Sequence, residues 1–147
     1  MAGKQPKRKD RPGVDRAGQT PLHCAALEGD SGHIRKLLAS GLVADSPDDN
    51  GWTPLHFAAQ SNAADATAVL LKAGAAVDAR DAHGNTPLSM AVFNSRGNGE
   101  VIKLLRAHGA DPNVKNNHGV SPLNLARTIA NFDVRQFFQD LPEEADG

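Results

Sequence analysis

The chain has 147 residues, with 16 Lys and Arg against 17 Asp and Glu, so it is one domain in size and has no global electrostatic pull toward nucleic acid or an acidic surface. No apolar run approaches the roughly 20 residues of a membrane span, and no hydrophobic stretch follows the positive N-terminus as a secretory signal requires. One cysteine, Cys24, excludes an internal disulfide framework, and these features together predict a cytoplasmic protein, or a nuclear one in a eukaryote.

Residues 1–14 carry Lys4, Lys7, Arg8, Lys9 and Arg11 against Asp10, with Gly3, Pro6 and Pro12 among them. They are expected to form a disordered, basic, solvated tail. A first unit, 15–47, opens on "GQTPLHCAAL", Gly18 to Leu27. Thr20 suits a helix N-cap, because its hydroxyl accepts from a free backbone N–H. Pro21 suits the first helical position, where its missing N–H had no helical partner. Ala25 and Ala26 let this helix approach its neighbours closely. After the turn at "EGD", Ile34, Leu37 and Leu38 share one face of a second helix. Gly41 suits the left-handed residue just past a helix end.

A second unit, 48–80, repeats the pattern with Gly51, Thr53, Pro54, Leu55, Ala58, Leu70–Leu71 and Gly74. The third, 81–115, has Gly84, Thr86, Pro87, Leu88, Ala91, Leu104–Leu105 and Gly109. It is two residues longer, and the extra length falls between Asn94 and Glu100. Loop entropy grows slowly with length, so this reads as a tolerated surface insertion, with a contact loop as the alternative. The fourth, 116–141, has Gly119, Ser121, Pro122, Leu123, Ala126 and Phe137–Phe138. Its second helix, expected from about Phe132 to Leu141, carries Arg135, Gln136, Gln139 and Asp140, as the outer face of a terminal repeat requires. Residues 142–147, with Glu143, Glu144 and Asp146, form an acidic tail.

The capping residues Thr20, Thr53, Thr86 and Ser121 recur at spacings of 33, 33 and 35, and each unit reads as turn, helix, loop, helix. "TPLHCA" and "TPLHFA" match the ankyrin signature in full, and "TPLSMA" and "SPLNLA" in part. The chain therefore resembles the ankyrin-repeat family over residues 15 to about 140. The resemblance implies an all-α fold: a solenoid of four stacked helix-turn-helix units with hairpin turns projecting to one side. Size agrees, since a lone unit lies below the roughly 40 residues at which domains fold unaided.

Chemistry finds little support. His23 and His56 occupy the TPLH position, where the resemblance implies a structural hydrogen bond near the turn. Ser89 and Asn124 replace them in the other units. Cys24 follows His23, but adjacent helical residues do not face each other. His83 and His118 fall at equivalent turn positions, yet two imidazoles without further ligands make a poor zinc site. No phosphate-binding glycine loop, HExxH or nucleophile elbow is present. No catalytic residue, metal or cofactor is expected.

Binding is the remaining output. The resemblance implies that hairpin tips and first helices build a concave face that grips another protein. The turns place Arg16, Gln19, Asp49, Asn50, Trp52, His83, Asn85, Asn117 and His118 there. The exposed ends of the first helices add Leu27, Glu28, Gln60, Phe93 and Asn94. Trp52, Phe93 and Leu27 are expected to form an apolar centre, with the polar residues as its rim. The alternative for Trp52 is packing against its own neighbouring turns. The chain thus reads as a non-catalytic interaction module, an adaptor or inhibitor. An immunity-type protein that neutralises a toxin enzyme and a nuclear or cytoplasmic regulator are its two concrete versions. A metal- or nucleic-acid-binding role stands behind them. A membrane is not an expected partner.

Overall fold

The computed structural model describes residues 14–15, 17–129 and 133–141. The expected tails lie outside these residues, apart from Val14, and so does Arg16. Seven α-helices are described: α1 (Pro21–Glu28), α2 (Ser31–Ala39), α3 (Pro54–Gln60), α4 (Ala64–Lys72), α5 (Pro87–Asn94), α6 (Glu100–Ala107) and α7 (Pro122–Thr128). A 3-10 helix, Val134–Phe138, follows. First helices pack on first helices, α1 on α3, α3 on α5 and α5 on α7, while α2, α4 and α6 form a second layer behind them. This is the all-α solenoid the repeat implies, since each unit covers only its neighbours' faces.

The helix starts form as their sequences dictate. Proline occupies the first turn of α1, α3, α5 and α7. Thr20, Thr53 and Ser121 accept from backbone N–H groups of that turn. Leu22, Leu55, Leu88 and Leu123 then enter the core in register, and Ala25, Ala58, Ala91 and Ala126 are fully buried where first helices meet.

The second layer corrects one alignment. Leu37, Leu70 and Leu105 each accept the same helix-ending bond, from Leu42, Ala75 and Ala110. Leu105 is therefore the counterpart of Leu70, and Arg106 stands where Leu71 does. The insertion adds its full two residues before this point, which shifts the expected Leu104–Leu105 pairing by one.

Arg106 has a use at that position. Its guanidinium holds Asp140 through two bonds of 2.6 and 2.8 Å and donates to the Phe137 carbonyl at 3.0 Å. It also lies over the Phe138 ring, 5.3 Å from its centroid. This pairing raises the Arg106 pKa and lowers that of Asp140. The expected second helix of the fourth unit is a five-residue 3-10 turn instead. Asp133 makes no side-chain cap, and Pro142 disfavours helical geometry at Leu141. Residues 134–140 are as many as α3 or α7 contain, but they lack the capping side chain and first-turn proline that start those helices, and the segment closes as a 3-10 turn.

The helix starts also differ at one position. In α5, Ser89 replaces the TPLH histidine, and the buried Thr86 hydroxyl has no hydrogen-bond partner. An imidazole at this position bonds the threonine in α1 and α3 and reaches the next unit's turn. Ser89→His is therefore expected to stabilise the fold by about 1–2 kcal/mol, through a restored cap and one bond to the Val120 carbonyl. Thermal denaturation checks it, and a lowered Tm means that the junction has closed over the vacated volume.

Candidate functional site

The hairpin tips are built by a repeated side-chain device. Asp15, Asp48, Asp81 and Asn116 each accept, through one oxygen, from the backbone N–H groups two and four residues on. Each closes its own turn, the local bonding these residue types favour. Successive tips are then stitched together. Asp49 N–H donates to the Ala17 carbonyl, Ala82 to Asn50 and Asn117 to His83, at 2.8 to 2.9 Å. Gly51 is required here. Its φ is +78°, and a Cβ would meet the backbone of Asp81 and Ala82 at about 3.0 Å.

Two histidines tie this row to the helices behind it. The Thr53 N–H donates to His56 Nδ1 at 3.1 Å, so Nδ1 is unprotonated and Nε2–H donates to the Asn85 carbonyl at 2.9 Å. His23 does the same between Thr20 and the Trp52 carbonyl. The structural bond expected at the TPLH position is thus a bridge between units. Burial pushes the His56 pKa down, against the opposing pull of the Asn85 carbonyl and the Asp81 and Asp48 carboxylates. At the third junction no histidine is available. Asn116 bonds Asn85, Asn117 bonds the Ala82 carbonyl and Arg80 bonds the Lys115 carbonyl there.

The candidate residues distribute unevenly over this frame. Asp49, Asn50, His83, Asn117 and His118 are exposed along the tips, and Glu28 and Gln60 are exposed at helix ends. Gln19 is half-buried and reaches Asp48, Asn85 is half-buried and holds Asn116, and Asn94 turns back to the Met90 carbonyl. Leu27 is 47% exposed and Phe93 69% exposed.

Trp52 does not stand out from its hairpin. It is half-buried, 4.8 Å from the Phe57 ring and 5.6 Å from His56 between centroids, and Phe57 meets His23 edge-on. The expected single apolar centre is therefore divided. Leu27 and Phe93 occupy matching positions on α1 and α5, with α3 and its Gln60 between them. Helix spacings of about 8–10 Å put them two helices, or roughly 18 Å, apart. Trp52 lies beyond the opposite end of α3.

Cys24 is exposed while His23 is buried, so the two do not share a face. His83 and His118 are on successive tips, but no group of three or more His, Cys, Asp and Glu able to hold a metal occurs among the described residues. No helix among them is long and apolar enough to cross a membrane.

Sequence reasoning passed over the turn-closing side chains, although Asp15, Asp48, Asp81 and Asn116 recur at the repeat spacing and are visible in that way. It also passed over Asp45 and Asp78, 33 residues apart, which accept from Ala76 and Asp111 of the following unit.

Among known proteins, a family profile described as Ankyrin repeats (3 copies) matches residues 3–81 and again residues 31–116. No curated protein matches the chain.

Proposed function

Because the chain belongs to the ankyrin-repeat family, whose members are generally protein–protein interaction modules, we propose that it acts without catalysis, as an adaptor or inhibitor holding a partner protein on the face made by its hairpin tips and first helices. The observation that carries this reading is the exposure of Phe93. A helical phenylalanine left 69% in solvent buries only the lesser part of its surface in the fold. It has the size and rigidity of an interface anchor. Leu27 supplies a second apolar contact two helices away, and the exposed side chains of His83, Asn117 and His118 supply polar ones along the tips. The tips are rigid because each is closed by its own Asp or Asn and bonded to the next, so a partner meets a preorganised surface.

Affinity capture with tagged protein identifies the partner, and two variants test the face. Phe93→Ala is expected to weaken the complex by about tenfold or more while leaving Tm unchanged. Arg35→Ala, on the exposed side of α2, is expected to change neither. A complex indifferent to Phe93→Ala and weakened by Arg35→Ala overturns the assignment of the face.

A further inference from the structure

The loops that join first to second helix in the two middle units lie side by side. Between them is a cleft of about 470 Å³, within the roughly 300–1,000 Å³ of ligand clefts. Gln60 and Asn62 contribute from the α3 side, and Asn94, Arg96 and Asn98 from the α5 side. Ser61 and Ser95 complete the lining, with their hydroxyls engaged by the Leu27 carbonyl and the Gly97 N–H. No carboxylate lines the cleft.

Several polar groups in it are unspent. The Asn62 Oδ1 is buried without a hydrogen-bond partner. Among the described residues, the Gln60 carboxamide and the Arg96 guanidinium have neither hydrogen bond nor ion pair. Asn94 uses its Nδ2 on Met90, which leaves its Oδ1, and Asn98 uses its Oδ1 on Glu100, which leaves its Nδ2. Arg96 lies within the longer loop of the third unit, and the shorter loops of the first and second units carry no arginine. Phe93 directly precedes Asn94 and is exposed beside it.

The chemistry of this lining is specific. A guanidinium without an acidic neighbour binds carboxylates through parallel hydrogen bonds. Carboxamides donate and accept at once, as a peptide group does. We propose that this cleft takes an acidic segment of the partner polypeptide. An Asp or Glu carboxylate of that segment sits on Arg96. Its peptide groups pair with the carboxamides of Gln60, Asn62, Asn94 and Asn98, and an adjoining apolar side chain covers Phe93. This rests on the reading of the chain as a protein-binding module and names the chemistry of the segment it holds.

Nitrogen-15 NMR tests it on the full chain, with an acetylated, amidated Leu-Glu-Ala-Glu-Leu peptide as probe and Leu-Gln-Ala-Gln-Leu as its neutral counterpart. The side-chain amide signals of Gln60, Asn62, Asn94 and Asn98 are expected to shift and saturate with the acidic peptide. Affinity is expected to fall about tenfold for the neutral peptide and for Arg96→Gln. Arg96→Gln changes an exposed loop side chain, and an unaltered Tm confirms that it folds. Equal affinity for both peptides, or no effect of Arg96→Gln, overturns the proposal. Sodium acetate reproducing every shift also overturns it, since the cleft then selects a free carboxylate and not a polypeptide. A natural partner weakened by Phe93→Ala but indifferent to Arg96→Gln overturns the cleft and leaves the interaction reading standing. Peptide bound in the cleft of a protein that captures no partner sustains the cleft and overturns that reading.

Discussion

Replacing His56 with alanine is expected to destabilise the protein by about 3 kcal/mol, enough to lower Tm by roughly 10 °C. The imidazole is fully buried and is used at both nitrogens. Alanine leaves the Thr53 N–H without its acceptor, removes the bond to the third unit's turn and opens a cavity beneath Trp52. His56→Asn separates these effects. Asn124 already completes the same cap on Ser121, so asparagine is expected to restore the cap and not the bridge. The pH dependence follows from the same geometry. The folded state holds His56 neutral and lowers its pKa, whereas the unfolded chain binds the proton near the ordinary value of about 6.5. The stabilisation is therefore complete above about pH 6.5 and is lost as pH falls through the lowered value. Melting curves from pH 7.5 to 5 are expected to show this decline in the native protein and a weaker one in His56→Asn. Parallel declines would place the responsible proton elsewhere.

The second large effect is expected at Gly99, which precedes α6. Its φ of −90° is open to any residue, so no conformational penalty attaches to replacement. Space is the constraint, because a Cβ there would overlap the ring of Phe137. Gly99→Ala must lift Phe137 from α6, and with it the Lys103 contact, the buried Phe138 and the Arg106 clasp. The expected cost is about 3 kcal/mol, from overpacking and lost aromatic burial. Hydrogen exchange is expected to rise at residues 133–141 and along α6 first. A double-mutant cycle isolates the cause: in a Phe137→Ala background, Gly99→Ala is expected to cost less than about 0.5 kcal/mol. An unchanged cost in that background shows that the ring is not the obstacle.

The sequence was most legible where one residue does one local job. Thr20-Pro21, Thr53-Pro54 and Ser121-Pro122 start helices through their own backbone neighbours, so the repeat could be read from them directly. Position became ambiguous where an insertion intervened, because Leu104 and Leu105 are alike in type and only the terminating bond to Ala110 separates them. Trp52 was misplaced for a related reason. A turn position fixes where the chain emerges, but Phe57 and His56 decide whether the indole leaves the surface. The 3-10 turn at Val134–Phe138 is hidden because polar and aromatic spacing alone does not reveal that this segment lacks the capping bond and proline of the α-helical starts. The cleft residues were only half visible. Gln60 and Asn94 follow from repeat register, whereas Asn62 and Arg96 lie in loops that the repeat does not specify.

The three junctions between units are not equivalent in what water can reach. Imidazoles sealed from solvent join the first pair and the second pair, while carboxamides and the guanidiniums of Arg80 and Arg106, nearer the surface, join the last. Solvent competes for the latter and not for the former, so the stack has a preferred end from which to fray. A ligand that spans Asn85 and Asn117 braces that end and raises the whole molecule's resistance to unfolding. One seated only on the first two units leaves it as loose as before.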